Sequence, residues 1–209
     1  LRIHDDSAIA PMARIADAIG VVYILPFSSL HKYQRSDSVW ANQYTTPLEV
    51  YPQGFESKRS QILRAFIRFD CVTKELEEIN PPETPDVVLD SKEFRDDWTQ
   101  QLEPGDVDKL KAYFQPIAHL GEVMDFIYFR VGGQDNNIEL RTRKCDKGIT
   151  FEVPRNSLMR CVRWRIFDDL LIGNFMKTTM VGKWENSRLY PDFTPIVAKY
   201  ADNGLARSQ

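Results

Sequence analysis

Three prolines within five positions, Pro81, Pro82 and Pro85, sit in the acidic stretch 79–86 and constrain the fold of this chain more than any other feature. Proline fixes its own backbone and donates no amide hydrogen bond, so regular structure is expected to stop there. The 209 residues can then bury a core as one large domain or as two smaller ones on either side of this connector.

Before the connector, residues 1–4 read as a short strand. Residues 8–19 read as a helix, with Met12, Ile15, Ala16 and Ile19 on one face and Gly20 as its stop. The apolar run 21–25 follows and suits a buried strand. Strand, helix and buried strand in that order is the pattern of a parallel α/β crossover, in which chemistry gathers at the carboxyl ends of the strands. Those ends are His4-Asp5-Asp6 and Phe27-Ser28-Ser29-Leu30-His31. Residues 54–78 are expected to be mainly helical, with Ile62, Phe66 and Phe69 on the apolar side.

After the connector, Asp90 with Glu93 three residues on reads as a capping box opening a helix to about residue 102. Pro104-Gly105-Asp106 ends it, and a further helix runs to about residue 120, bent at Pro116. Strands are predicted over 122–131, 138–143 and 148–153, the last on the alternation of Ile149, Phe151 and Val153 with Thr150 and Glu152. With turns at 132–137 and 146–148 they form an antiparallel three-strand meander. Helices are predicted over 157–164 and 168–176. The fold class is thus α/β, with an α+β second half.

Composition excludes several classes. A net charge of −3 argues against a dedicated nucleic-acid binder. The apolar runs are too short to cross a bilayer, so no membrane partner is expected. Residues 130–165 do carry nine basic against four acidic residues, but these alternate with apolar ones as on a solvated or partner-facing surface. Three widely spaced cysteines, Cys71, Cys145 and Cys161, fit neither a disulfide framework nor a paired-cysteine zinc site. Free thiols in a reducing cytoplasm are the expectation. The opening Leu1-Arg2-Ile3-His4 reads as a strand already under way, and a fragment of a longer polypeptide is expected.

An aspartate and a histidine at the ends of adjacent parallel strands can meet at one metal ion, since such strands lie about 5 Å apart. Equally, Asp5 or Asp6 can cap the helix and His31 can be an ordinary loop residue. His119 has no ligand motif around it. Beyond His31, Lys32, Tyr33, Gln34 and Arg35 form a dense group of donors, and arginine pairs well with carboxylate or phosphate.

The strand ending in His4-Asp5-Asp6, the helix, and Leu25-Pro26-Phe27-Ser28-Ser29-Leu30-His31 resemble the second half of a metallo-β-lactamase-fold hydrolase, in the branch of CMP-N-acetylneuraminate hydroxylase-like proteins. The resemblance covers about residues 1–50, and more faintly 168–174. It implies a metallo-β-lactamase-like sandwich segment over 1–78, a connector with helices over 79–120, and the α+β region over 121–209. It further implies Asp5 and His31 as metal ligands, Lys32, Tyr33 and Arg35 as groups binding a small anionic substrate, and a divalent metal. Zinc is the first candidate, iron or manganese the others. The metal would activate water for hydrolysis. The family's His-x-His-x-Asp-His cluster is absent from the sequence. Most ligands would then come from an N-terminal part of the same protein or from a partner subunit, and the fragment alone would be inactive.

The second half also resembles a sterol-carrier-like domain over Phe151-Glu152-Val153-Pro154, Ser157-Leu158-Met159 and 168–173. That resemblance implies an apolar or amphipathic ligand in a cavity lined by Leu158, Cys161, Val162, Leu170, Leu171, Ile172 and Phe175. The plain alternative for these residues is ordinary core. A structural interaction domain using the basic face is the third reading.

Overall fold

The computed structural model describes residues 9–26, 32–45, 52–82, 85–141, 146–173, 175–185, 189–190 and 192–201. The chain is mixed α/β and divides into two compact units, one of residues 1–34 and 39–88, the other of residues 35–38 and 89–209.

In the first unit, helix α1 (Ala10–Ile19) carries Pro11 in its first turn and ends at Gly20 in the left-handed conformation, as glycine allows. Its buried face is Ile9, Ala13 and Ala16, whereas Met12, Ile15 and Ile19 are exposed. The expected face was therefore rotated: of its four members only Ala16 is inside. Strand β1 (Tyr23–Ile24) is short and half-buried, with Val21, Val22 and Leu25 exposed. It pairs in parallel with β2 (Gln61–Ile62). The expected helix over 54–78 is replaced by β2 and the hairpin β3 (Ile67–Phe69) and β4 (Leu76–Glu78). The hairpin turn is built on Asp70, whose carboxylate accepts from the Val72 and Thr73 amides at 2.7 and 2.9 Å. An aspartate offering its backbone this local bond favours a turn over helix.

In the second unit, the capping box forms as expected. The Asp90 carboxylate accepts from the Lys92 amide at 2.8 Å, and Glu93 accepts from the Asp90 amide at 3.2 Å. It opens only a single 3-10 turn, Ser91–Phe94, because Arg95 enters the left-handed region at φ 66° and stops the helix. Helices α2 (Asp106–Phe114) and α3 (Ala118–Val123) are separated at Gln115–Ile117, where proline was expected to bend them.

The four-stranded sheet contains β5 (Phe126–Val131), β6 (Gln134–Glu139), β7 (Gly148–Glu152) and β8 (Lys177–Val181) in the order β6-β5-β7-β8. It is not a meander, because β7 lies beside β5 and parallel to it, leaving β6 on the edge. Polarity explains the order: Ile138 is the one buried residue of β6, while β5 and β7 each send alternate apolar side chains inward. A polar strand is least costly at an edge, where water serves its unpaired side.

One sheet face is core, formed by Ile127, Phe129, Val131, Ile138, Ile149, Phe151 and Val153. Helices α4 (Arg155–Trp164), α5 (Phe167–Ile172) and α6 (Thr194–Lys199) add Leu158, Cys161, Val162, Phe167, Leu170 and Val197 to the same cluster, as do α2 and α3. Phe167 sits at its centre, with the rings of Phe114, Phe129, Phe151 and Phe193 at 5.1 to 6.1 Å. On the opposite face one cross-strand row reads Asp135, Arg130, Glu152, Lys177, alternating in charge. Arg130 bonds Asp135 through two nitrogens at 2.7 and 2.9 Å, and Lys177 meets Glu152 at 3.1 Å.

Candidate functional site

Asp5 and His31, the expected metal ligands, lie outside the described residues. Among the described residues, no three His, Cys, Asp or Glu side chains are grouped so that they could hold a metal ion. Lys32 and Tyr33 belong to the first unit. The Lys32 ammonium pairs with Asp86 at 2.8 Å, both ends well exposed. The Tyr33 backbone is clasped by Asn42, which accepts from its amide at 2.7 Å and donates to its carbonyl at 2.8 Å.

Arg35 belongs to the second unit, and its guanidinium is fully engaged there. Its Nε and Nη2 donate to the two oxygens of Asp37 at 3.0 and 2.8 Å, and its Nη1 donates to Asp96 at 2.8 Å. The same guanidinium lies 4.0 Å from the ring centre of Phe175 and 5.1 Å from that of Phe94. Asp37 also accepts from the Trp98 indole at 2.9 Å. Burial pushes the Asp37 carboxyl up, but the Arg35 and Trp98 donors outweigh it and hold it below the ordinary value. Burial likewise works against the charge on Arg35, and its two carboxylates more than restore it.

Asp96 is fully buried and serves a second element. Its carboxylate accepts from the Ser157 amide at 2.9 Å and hydroxyl at 2.6 Å, in the first turn of α4. Pro154 at the N-cap offers no side-chain oxygen, so Asp96 supplies the cap from a distant part of the sequence. Asn156 adds a bond to Asp96 at 3.3 Å and one to the Phe94 carbonyl at 3.4 Å. Together these contacts fix the 94–98 segment against α4.

Between α2 and α4 lies a groove of about 470 Å³. Its apolar floor is Ala112, Tyr113, Met159 and Val162, and its charged rim is Lys109, Arg155, Arg163 and Arg165 with the single carboxylate of Asp106. Asp106 is buried at the start of α2. Burial raises its carboxyl, but the Glu103 amide, Lys109 and Arg155 bring it below the ordinary value. Arg155 meets Asp106 at 2.7 Å and Glu103 at 2.8 Å, while Lys109 meets Asp106 at 3.1 Å. Arg165 stands 5.8 Å from the Tyr113 ring centre. Tyr113 accepts from the Phe167 amide at 3.3 Å, and its phenol is raised chiefly by burial.

The residues expected to line an apolar cavity lie elsewhere. Leu158, Leu170 and Phe175 are core members, and Ile172 is exposed. Cys161 is buried, and that burial pushes its thiol up to about 11, so it remains protonated at neutral pH. Only Met159 and Val162 of that region reach the groove. Sequence reading missed the groove because its cations come from two helices separated by three strands. The available signal was the spacing of Arg155, Met159 and Val162 on α4.

No family model, no curated protein and no solved structure matches this chain.

Proposed function

We propose that the second unit is a binding module for a small amphipathic anion, held in the groove between α2 and α4. The observation that carries this reading is an apolar floor flanked by Arg163 and Arg165, beside the ion pairs that Arg155 and Lys109 make with Asp106 and Glu103. Such a surface suits a ligand with an apolar body and an acidic head, since burying the body releases water and the guanidinium groups bind the head. The volume falls in the range of small-molecule sites. Binding of dodecanoate, with dodecanol as the uncharged control, tests it. The acid is expected to bind saturably, and more tightly than the alcohol by about tenfold or more. Arg165→Gly, which also relieves a left-handed residue at φ 55°, is expected to remove most of that difference. Equal binding of acid and alcohol would sink the proposal.

The metal-dependent hydrolase is the second reading. It is favoured by the order α1 then β1 and by the position of His31 seven residues after β1, while the strand expected over 1–4 lies outside the described residues. Asp5 and His31 would hold a divalent metal that supplies activated water, and Lys32 would attract the anionic substrate. Its test is metal content per chain, measured by elemental analysis before and after Asp5→Ala. Metal retained in that variant would count against it.

A further inference from the structure

The other flank of α4 carries a second groove, of about 640 Å³, lined by Glu93, Phe94, Arg95, Asn156, Arg160, Arg163 and Trp164. Residues 156, 160, 163 and 164 follow the helical spacing i, i+4, i+7, i+8, so they form one stripe of α4. The opposing wall is the turn that Asp96 and Asn156 pin to the start of α4. Three arginines and two partly exposed aromatic rings thus line one recess. Trp164 is 52% exposed and Phe94 39%, although both are large apolar side chains. One face of Phe94 is already taken by Arg35 at 5.1 Å, which steadies the ring. The Arg163 guanidinium lies 5.5 Å from the Trp164 ring centre.

Arg95 adds an independent observation. It holds a left-handed backbone at φ 66°, a conformation that glycine adopts at no steric cost and that L-residues adopt under strain. Its backbone amide ends the 3-10 turn by donating to the Lys92 and Ser91 carbonyls, a task that needs no side chain. Among the described residues, the Arg95 and Arg160 side chains form no ion pair, although Glu93 lines the same recess. The Glu93 carboxylate is turned to the Asp90 amide as part of the capping box.

We infer that this groove binds an aryl phosphate, the ring against Trp164 and Phe94 and the phosphate on Arg95, Arg160 and Arg163. Guanidinium forks match phosphate oxygens in pairs, and aromatic walls accept a flat ring. The site is distinct from the groove between α2 and α4, sharing with it only Arg163. Two sources present this chemistry: a free small molecule, or a phosphotyrosine side chain on a peptide.

The full chain is titrated calorimetrically with phenyl phosphate, and separately with inorganic phosphate and with phenol. Phenyl phosphate is expected to bind at least about tenfold tighter than either half alone. Arg95→Gly, which suits the backbone there, and Arg160→Gln are each expected to weaken it by about tenfold. Trp164→Leu is expected to bring phenyl phosphate down to the level of inorganic phosphate. Arg68→Gln, which breaks only an exposed pair with Glu77 and lines neither groove, leaves it unchanged. A phosphotyrosine peptide binding more tightly than phenyl phosphate assigns the source to a peptide, and equal binding assigns it to a small molecule. The inference is overturned if phenyl phosphate binds no better than phosphate, or if Arg95→Gly and Trp164→Leu chains with unchanged circular dichroism bind it like the wild type.

Discussion

Arg35 and Asp96, sixty-one residues apart, meet at 2.8 Å with the aspartate fully buried, and through it the arginine is coupled to the cap of α4. Truncating one member of such a pair leaves the other buried and uncompensated, which costs about 3–5 kcal/mol. Asp96→Ala is therefore expected to lower the denaturant midpoint of the second unit sharply. Lys32→Ala, which breaks only an exposed pair with Asp86, is expected to change stability by about 0–1 kcal/mol. Equal midpoints for the two variants would contradict the role given to Asp96.

Acid should act on the same region. Asp37 and Asp106 both titrate below the ordinary 3.8 in the folded chain. A depressed carboxylate stabilises the fold above its unfolded pKa, and that contribution is lost as pH falls through the folded value. Stability is expected to be level above about pH 5 and to decline below about pH 4. Asp37→Asn and Asp106→Asn should each flatten that decline, as read from thermal melts across pH 2 to 6.

Cysteine labelling should separate two thiols. Cys71 is exposed, while Cys161 is buried with its thiol raised to about 11. Iodoacetamide at neutral pH is expected to modify Cys71 in the native protein, and Cys161 only after denaturation, as peptide mass mapping would show. Because the folded thiol is raised, its contribution to stability is present below the unfolded value and disappears as pH climbs from 9 toward 11.

The β5–β6 turn offers a matched pair. Gly132 and Gly133 both have positive φ, but a Cβ on Gly132 would stand 2.8 Å from the Gln100 backbone, whereas one on Gly133 meets nothing within 4 Å. Alanine at 133 is expected to cost about 1–2 kcal/mol for its backbone alone. Alanine at 132 should cost distinctly more, because the backbone of Gln100 must also move. Similar melting temperatures for the two variants would refute the close approach.

Packing gives a further contrast. Phe167→Ala removes the ring at the centre of the aromatic cluster and is expected to cost about 3–5 kcal/mol. Ile15→Ala removes a side chain that is 60% exposed and is expected to change stability by no more than about 0.5 kcal/mol. Chemical denaturation of both variants distinguishes a filled core from a ligand-sized cavity around Phe167.

What could be read from the sequence was local. The Asp90–Glu93 capping box, the Gly20 stop, the interruption at Pro116 and the inward alternation of Ile149, Phe151 and Val153 each depend on neighbours within a few residues. Where the reading failed, strand pairing, near or distant in sequence, had overruled the helical pattern. Ile62, Phe66 and Phe69 carry helical spacing, but Ile62 is claimed by pairing with Ile24, and Phe69 by pairing with Leu76. Met176 was assigned to a helix, yet the chain turns there into β8, whose pairing with β7 no local propensity signals.

The sequence by itself determined that this chain is mixed α and β and where the Asp90 capping box, the Gly20 stop and the break at Pro116 fall, whereas the turn expected over 132–137 shrinks to Gly132–Gly133, with β6 starting at Gln134. Among the described residues, no helix is long and apolar enough to cross a membrane. Tertiary structure alone decided the strand order, the commitment of Arg35 to two carboxylates, and the grouping of cations along both flanks of α4. The physical reason is one of range. Propensity, capping and turn chemistry act over a few residues. The pairing of strands and the satisfaction of a buried charge are settled only by which distant groups the core brings within hydrogen-bonding reach.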